Sequence, residues 1–401
     1  MSGEGGGGNG PGRVPDARAG LAWLLTLGMG MPMMIFYAIG VLGPQLVADL
    51  GIARERLGWL TASTFGLAAI LSPWAGVVVQ GLGTRSGLAA LFLLVGASFG
   101  LMAVLPGFWG IVVALLFCGV AQALANPATN QAIAQIVPAG RKAAMVGLKQ
   151  SGVQASALAA GLLLPALSGA LGWRGALALW VPLAAAMACL TFRWLPAPGP
   201  LSAGRGFRLQ RPNCWLAMLM AIQFCAGLAL SAFITFVGVY AHQLGVSAGA
   251  IGAMVGGFGV MGMLSRLLLT PLGARLRDES VLLCLLFLLA ILALLAMRQA
   301  APDAHWPLWA GVLGMGATVV ATNAIAMSML LRDPRFGGAA VSAGVLSLGF
   351  FGGFAFGPPL FGGLLAGQGG FAGAWLLLTA ALAAGALLCV GLYGLRRSGE
   401  A

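Results

Sequence analysis

Two cations stand inside stretches of this sequence that otherwise carry no charge, Lys149 and Arg266. A charge in a bilayer costs at least ~2.5–3.5 kcal/mol on insertion scales, so an intramembrane cation marks a functional site by default. The chain's carboxylates do not answer these two. Glu4, Asp16, Asp49, Glu55, Asp278, Glu279, Asp303, Asp333 and Glu400 all fall in tails, loops or helix ends. An anionic solute could complete the charge balance instead, and an Arg can grip a carboxylate or phosphate through two parallel hydrogen bonds. The alternative is that both side chains snorkel to the nearby interface, as long basic side chains do.

Neutral polar residues at helical spacing surround these cations. Gln122, Asn126 and Asn130 recur at every fourth position and share one helical face, with Pro127 able to bend that helix. Gln150 and Gln154 form a second such pair. Tyr37, Gln223 and Asn323 join them as candidate substrate contacts, with Tyr240 and Thr322 as weaker ones. Each could equally bind a neighbouring helix through a hydrogen bond worth under ~2 kcal/mol.

The elements that must position these residues follow from composition. Of 401 residues 60% are apolar and 7% are charged, with mean hydropathy +0.97. A soluble domain needs about 25% charged residues to solvate its surface. At about 20 residues per crossing, the apolar runs predict an all-α membrane protein with spans near 20–43, 57–80, 86–105, 108–135, 143–168, 172–193, 214–238, 250–273, 281–298, 306–330, 339–365 and 372–394. They would form two pseudo-symmetric six-helix bundles, 20–193 and 214–395, joined by a polar linker at 194–213. Residues 1–19, rich in Gly and Pro, read as a disordered tail rather than a cleavable leader, and 396–401 as a second tail. On this scheme Lys149 and Arg266 each sit roughly 10 Å below the cytoplasmic surface.

Charge placement gives the orientation. With the N-terminus inside, fifteen Lys and Arg fall on the cytoplasmic side, and only Arg54, Arg56, Arg174 and Arg298 fall outside. That bias puts both termini in the cytosol. The tryptophans, among them Trp23, Trp59, Trp109, Trp173, Trp306 and Trp375, lie at expected helix ends, as an interfacial belt would. An echo at an offset of 197 residues pairs Gly119 with Gly316, Asn126 with Asn323, Gly147 with Gly344, and Gly152 with Gly349.

Other function classes find little here. The net charge of +12 is dispersed between apolar runs rather than gathered into a nucleic-acid surface. The six cysteines form no CxxC pair, and His242 and His305 sit in connectors, so no metal and no cofactor is expected. No nucleophile–base pair or phosphate loop of the form GxxxxGK[ST] is present, so neither an enzyme nor a nucleotide-driven pump is expected.

Three local runs resemble the major facilitator superfamily. Gly76-Val-Val-Val-Gln80-Gly-Leu-Gly83-Thr-Arg85 is similar to its loop motif G-x-x-x-D-x-x-G, with Gln80 in the acidic place. Gly172-Trp173-Arg174 opens span six, as in many bacterial members, and Gly147-Leu-Lys-Gln-Ser-Gly152 opens span five and is similar to bacterial permeases grouped with sugar-phosphate or cyanate-type carriers. The resemblance implies two six-helix halves around a central cavity and transport by alternating access, in a monomer of the bacterial inner membrane. Gln80, and Ala274 in the second half, cannot make the ion pair of the family's conformational switch, and the family's antiporter motif is missing from span five. The expected function is secondary active transport of a small organic solute, an anion on the evidence of Lys149 and Arg266, with a proton or counter-solute as coupling partner. Efflux of drugs or hydrophobic metabolites is the alternative.

Overall fold

Long uncharged runs of Leu, Ala, Val, Phe and Gly can satisfy their backbone groups in lipid only by coiling, because no water is available to pair a free N–H or C=O. A computed structural model describes residues 14–195, 212–337 and 339–398. Its eleven α-helices among those residues are α1 (Val14–Leu50), α2 (Leu57–Val104), α3 (Gly107–Ile136), α4 (Lys142–Ala178), α5 (Trp180–Trp194), α6 (Cys214–Gln243), α7 (Ala248–Arg275), α8 (Glu279–Met297), α9 (Trp306–Arg332), α10 (Ala339–Ala366) and α11 (Gly370–Ser398). Side-chain caps open three of them. The side chains of Asn213, Ser247 and Asp278 accept from the backbone N–H of Leu216, Ala250 and Ser280, satisfying donors that a helix start leaves free.

Ten helical segments among the described residues are long and apolar enough to cross a membrane. This is two fewer than the apolar runs predict, because two segments, Arg54–Val104 and Ala144–Trp194, are each 51 residues long. A straight helix of that length would measure about 76 Å against a hydrocarbon core of about 30 Å. Both are broken near the expected turns. Gly83 (φ 77°, ψ 161°) interrupts α2 and Gly172 (φ 69°, ψ 164°) interrupts α4. These are backbone angles that only glycine adopts cheaply.

Other boundaries shift as well. Helix α1 starts at Val14, inside the expected tail, while residues 1–13 lie outside the described ones. Of the linker, 196–211 lies outside the described residues, and its flanks are the end of α5 at Trp194 and the Asn213 cap. Arg396, expected in a terminal tail, is instead 8% exposed at the end of α11. Its guanidinium meets Asp278 (3.0 Å), Glu279 (3.0 Å) and Asp333 (3.2 Å). Arg332 pairs with Glu279 and Arg335 with Asp333 (3.0 Å). Burial alone would raise the Asp333 carboxyl, but hydrogen bonds and charge from Arg335, with the charge of Arg396, outweigh it and hold it below the usual carboxylate range. This network ties together the ends of α8, α9 and α11.

The tryptophan belt is real in part. Trp23, Trp59, Trp109 and Trp306 are exposed, whereas Trp173 and Trp375 are buried. Trp173 donates its indole N–H to Asp49 (2.7 Å). Trp375 packs among Phe233, Tyr240, Phe361 and Phe371.

Helices α1 to α5 pack on one another, as do α6 to α11, and the two sets meet through α2 with α10, α4 with α7, and α1 with α6. The echo seen in the sequence has a structural counterpart. A Cβ on Gly119 would strike the Thr64 carbonyl and one on Gly316 the Phe258 carbonyl. Likewise Gly152 faces Thr26 and Gly349 faces Met220, while Gly147 and Gly344 both face open space. Each pair thus occupies a matching position in its own set. Between the sets, backbone meets backbone at the end remote from the termini: Gly58 abuts Pro358, Gly362 abuts Glu55, and Gly161 abuts Gly252. Small residues let helices approach this closely.

Candidate functional site

Lys149 lies about two turns into α4 and points at α3. Its ammonium donates to Asn126 Oδ1 (3.4 Å), Thr129 Oγ1 (2.9 Å) and Asn130 Oδ1 (2.6 Å). The Thr129 hydroxyl donates in turn to the Ala125 carbonyl (2.6 Å), leaving its lone pairs for the lysine. Three acceptors thus match the three donors of an ammonium. With 1% of the residue exposed, the side chain does not snorkel. It is buried against neutral oxygens, and among the described residues no carboxylate touches it.

Arg266 on α7 behaves differently, because it bridges the two helix sets. Its Nε donates to the Val320 carbonyl of α9 (3.2 Å), and its Nη1 donates to the Gln150 carbonyl of α4 (3.3 Å). The residue is half-buried, and its remaining donors meet no acceptor among the described residues. Tyr37 of α1 stands beside it, 2% exposed, with its hydroxyl on the Gln154 side chain and within electrostatic reach of the guanidinium. Gln154 presses on Gly262, one turn before Arg266, and its Oε1 has no partner.

The structure therefore brings most of the expected residues into two adjoining groups. Lys149 gathers Asn126 and Asn130, while Arg266 gathers Tyr37, Gln154 and the backbone of Gln150. Gln122 sits deeper, donating to the Met33 sulfur (3.1 Å) with its Oε1 unpartnered. Gln223 and Asn323 are joined to each other: Asn323 donates to Gln223 Oε1 (3.2 Å), and Gln223 donates to the Thr322 carbonyl (3.4 Å). They brace α6 against α9. Tyr240 belongs to the aromatic stack around Trp375, away from both cations.

Sequence reasoning missed two features. Thr129 is one; it lies between Asn126 and Asn130 on the same face, which was the available signal. The other is an aromatic wall between the helix sets. Phe36 meets Phe65 (5.4 Å between ring centroids) and Phe354 (5.3 Å), Phe65 meets Phe354 (4.5 Å), and Tyr37 meets Phe258 (6.4 Å). All these rings are buried.

The loop motif does not join its own members. Gly83 makes the break, Gln80 is exposed, and Gly76 faces open space. Arg85 reaches the end of α5, donating to the Phe192 carbonyl with its guanidinium 4.8 Å from the Phe192 ring centre. Thr84 donates to Gln135 of α3 (2.6 Å). The loop thus anchors α2 to α3 and α5.

Comparison with known proteins fits this geometry. Over most of its length the chain aligns in fold with crystal structures of a bacterial homolog of the human lysosomal transporter Spinster. In the inward-facing, occupied conformation the TM-score is 0.74 at 16% identity, covering 96% of this chain and 97% of that one. In the inward-facing, unoccupied conformation it is 0.70 at 15% identity, covering 94% and 96%. In sequence, the hexuronate transporter of Escherichia coli strain K12 is 30% identical over 146 residues, 35% of this chain and 34% of that protein. The galacturonate transporter of Dickeya chrysanthemi is 31% identical over 133 residues, 32% and 38% respectively. The matches thus span little more than a third of those relatives' length. The model of the Major Facilitator Superfamily matches residues 24–218 and again 219–401. A repeated match across both helix sets, with one transporter fold end to end, means that this multi-pass membrane chain belongs to the Major Facilitator Superfamily.

Proposed function

We propose that the chain is a secondary active carrier of small organic anions, sugar acids of the hexuronate kind foremost, working by alternating access. The observation that carries this reading is the pairing of Lys149 and Arg266 with neutral oxygens only, either side of the α4–α7 contact. Fixed positive charge without a protein counter-ion favours a carboxylate. The neighbouring amides and hydroxyls of Asn126, Asn130, Gln154 and Tyr37 are suited to sugar hydroxyls. The transporters of hexuronate and galacturonate that share part of this sequence support the same class.

The wider arrangement is part of the proposal. Counting α2 and α4 with α5 as two crossings each, split at Gly83 and Gly172, gives twelve crossings in two six-helix bundles. The charge bias of the loops favours cytoplasmic termini in a bacterial inner membrane. In that frame the closed end, at Gly58, Gly161 and Gly362, faces outward.

A thermal-shift comparison tests the substrate class. D-galacturonate and D-glucuronate should raise the melting temperature of the purified protein, and D-galactose should not. Lys149→Gln and Arg266→Gln should each weaken the response. Equal shifts with the neutral sugar would contradict the reading. The aromatic wall of Phe36, Phe65 and Phe354 favours a second one, efflux of hydrophobic compounds. Under it a neutral or cationic drug would stabilise the protein, and would still do so in both variants.

A further inference from the structure

We propose that the carrier is an obligate exchanger: it reorients with an anion bound and does not return empty, because Arg266 meets backbone carbonyls and no acid among the described residues. This rests on the anion-carrier reading above and specifies its coupling.

The two cations differ in how completely the protein satisfies them. Lys149 has a full set of three acceptors, all within the first helix set, and keeps them while 1% exposed. Because those contacts join α4 to α3, they persist through a cycle that moves the sets as bodies. Arg266 has five N–H donors, of which two meet carbonyls, one in each set. Any movement of α7 against α4 breaks the Gln150 contact. A closed intermediate would then enclose a guanidinium with most of its donors unfilled. A carboxylate presents two oxygens to the open edge of the fork and restores both hydrogen bonds and charge balance.

Proton coupling would need a group able to remove or supply that charge, and the surroundings hold little. The helices packed on Lys149 and Arg266 are α1, α3, α4, α7 and α9. Besides the two cations themselves, the titratable groups in their interiors are Tyr37, which already faces Arg266, and Cys118, which donates to the Pro32 carbonyl (3.4 Å). Asp278, Glu279 and Asp333 are engaged by Arg396, Arg332 and Arg335, and Asp49 by Trp173. His305 contacts the Leu244 carbonyl in a connector (2.9 Å), and His242 is exposed. Deprotonating Lys149 would leave two N–H donors for three acceptors and turn a lone pair on the third oxygen. The anion itself is thus the means of neutralising the site in both directions.

The test uses the full-length protein in liposomes with radiolabelled D-galacturonate outside. Uptake should be at least about tenfold faster into vesicles preloaded with unlabelled D-galacturonate than into empty ones, a ratio equivalent to about 1.4 kcal/mol of barrier. An inside-alkaline pH gradient should not drive accumulation into empty vesicles. Uptake into empty vesicles as fast as exchange, or accumulation driven by the gradient, overturns the exchange mechanism while leaving the anion site standing. Absence of both a thermal shift and any uptake with D-galacturonate and D-glucuronate overturns the anion-carrier reading, and exchange with it.

Discussion

At the scale of single residues, Lys149 shows how a charge is kept inside a membrane helix bundle without a salt bridge. Its shortest contact is with Asn130 (2.6 Å). Replacing Asn130 with Leu should cost about 1.5–3 kcal/mol of stability, the range for a hydrogen bond to a charged group. Lys149→Met in the same background should restore part of it, since the unpaired charge is then gone. Denaturation of the two single variants and the double variant in detergent gives the coupling energy, and additive effects would contradict the cage. The cations and their amide partners were legible in the sequence because charge and Asn are rare in apolar spans. Thr129 was not, since hydroxyls are common there. The partners of Arg266 were not either, because the Val320 and Gln150 carbonyls belong to the backbone and leave no trace in residue type.

At the scale of elements, the contact that closes one end of the molecule depends on missing side chains. Gly58 in α2 lies against Pro358 of α10, and Gly161 in α4 against Gly252 of α7. A Leu at Gly58 has no room, so Gly58→Leu should push α2 from α10 and favour the state open at that end. Hydrogen exchange should speed up over 57–64 and 355–362, while α8, which lies apart from this contact, stays unchanged. Unchanged protection at the α2–α10 contact would mean that it does not hold this end closed. Helix existence and type could be read from apolar length, and the breaks at Gly83 and Gly172 from the short gaps between apolar runs, but exact ends, such as the start of α1 at Val14, could not. The burial of Trp173 and Trp375 was likewise invisible, because interfacial and packed tryptophans occupy the same sequence positions.

At the scale of the whole molecule, charge is segregated. Three acids of the second helix set, Asp278, Glu279 and Asp333, are gathered in one ion-pair network at the ends of α8, α9 and α11, while Lys149 and Arg266 lie inside the spans with no acid beside them among the described residues. Asp333 is held below its ordinary range, so its contribution to stability is present above the unfolded carboxylate value, near ~3.9, and is lost as pH falls through the folded one. The melting temperature should therefore drop on acidification below about pH 4, and Asp333→Asn should flatten that drop. An unaltered acid limb in the variant would remove Asp333 from the account. Fluorescence-monitored unfolding across pH reads both.

The central claim is that this fold moves anions by means of two uncompensated cations. Uptake of radiolabelled D-galacturonate into preloaded proteoliposomes, compared between wild type, Arg266→Gln and Lys149→Gln, tests it most directly. The prediction is rapid exchange in the wild type and loss of at least about tenfold in each variant, with all three proteins equally folded. Wild-type rates in both variants would contradict it.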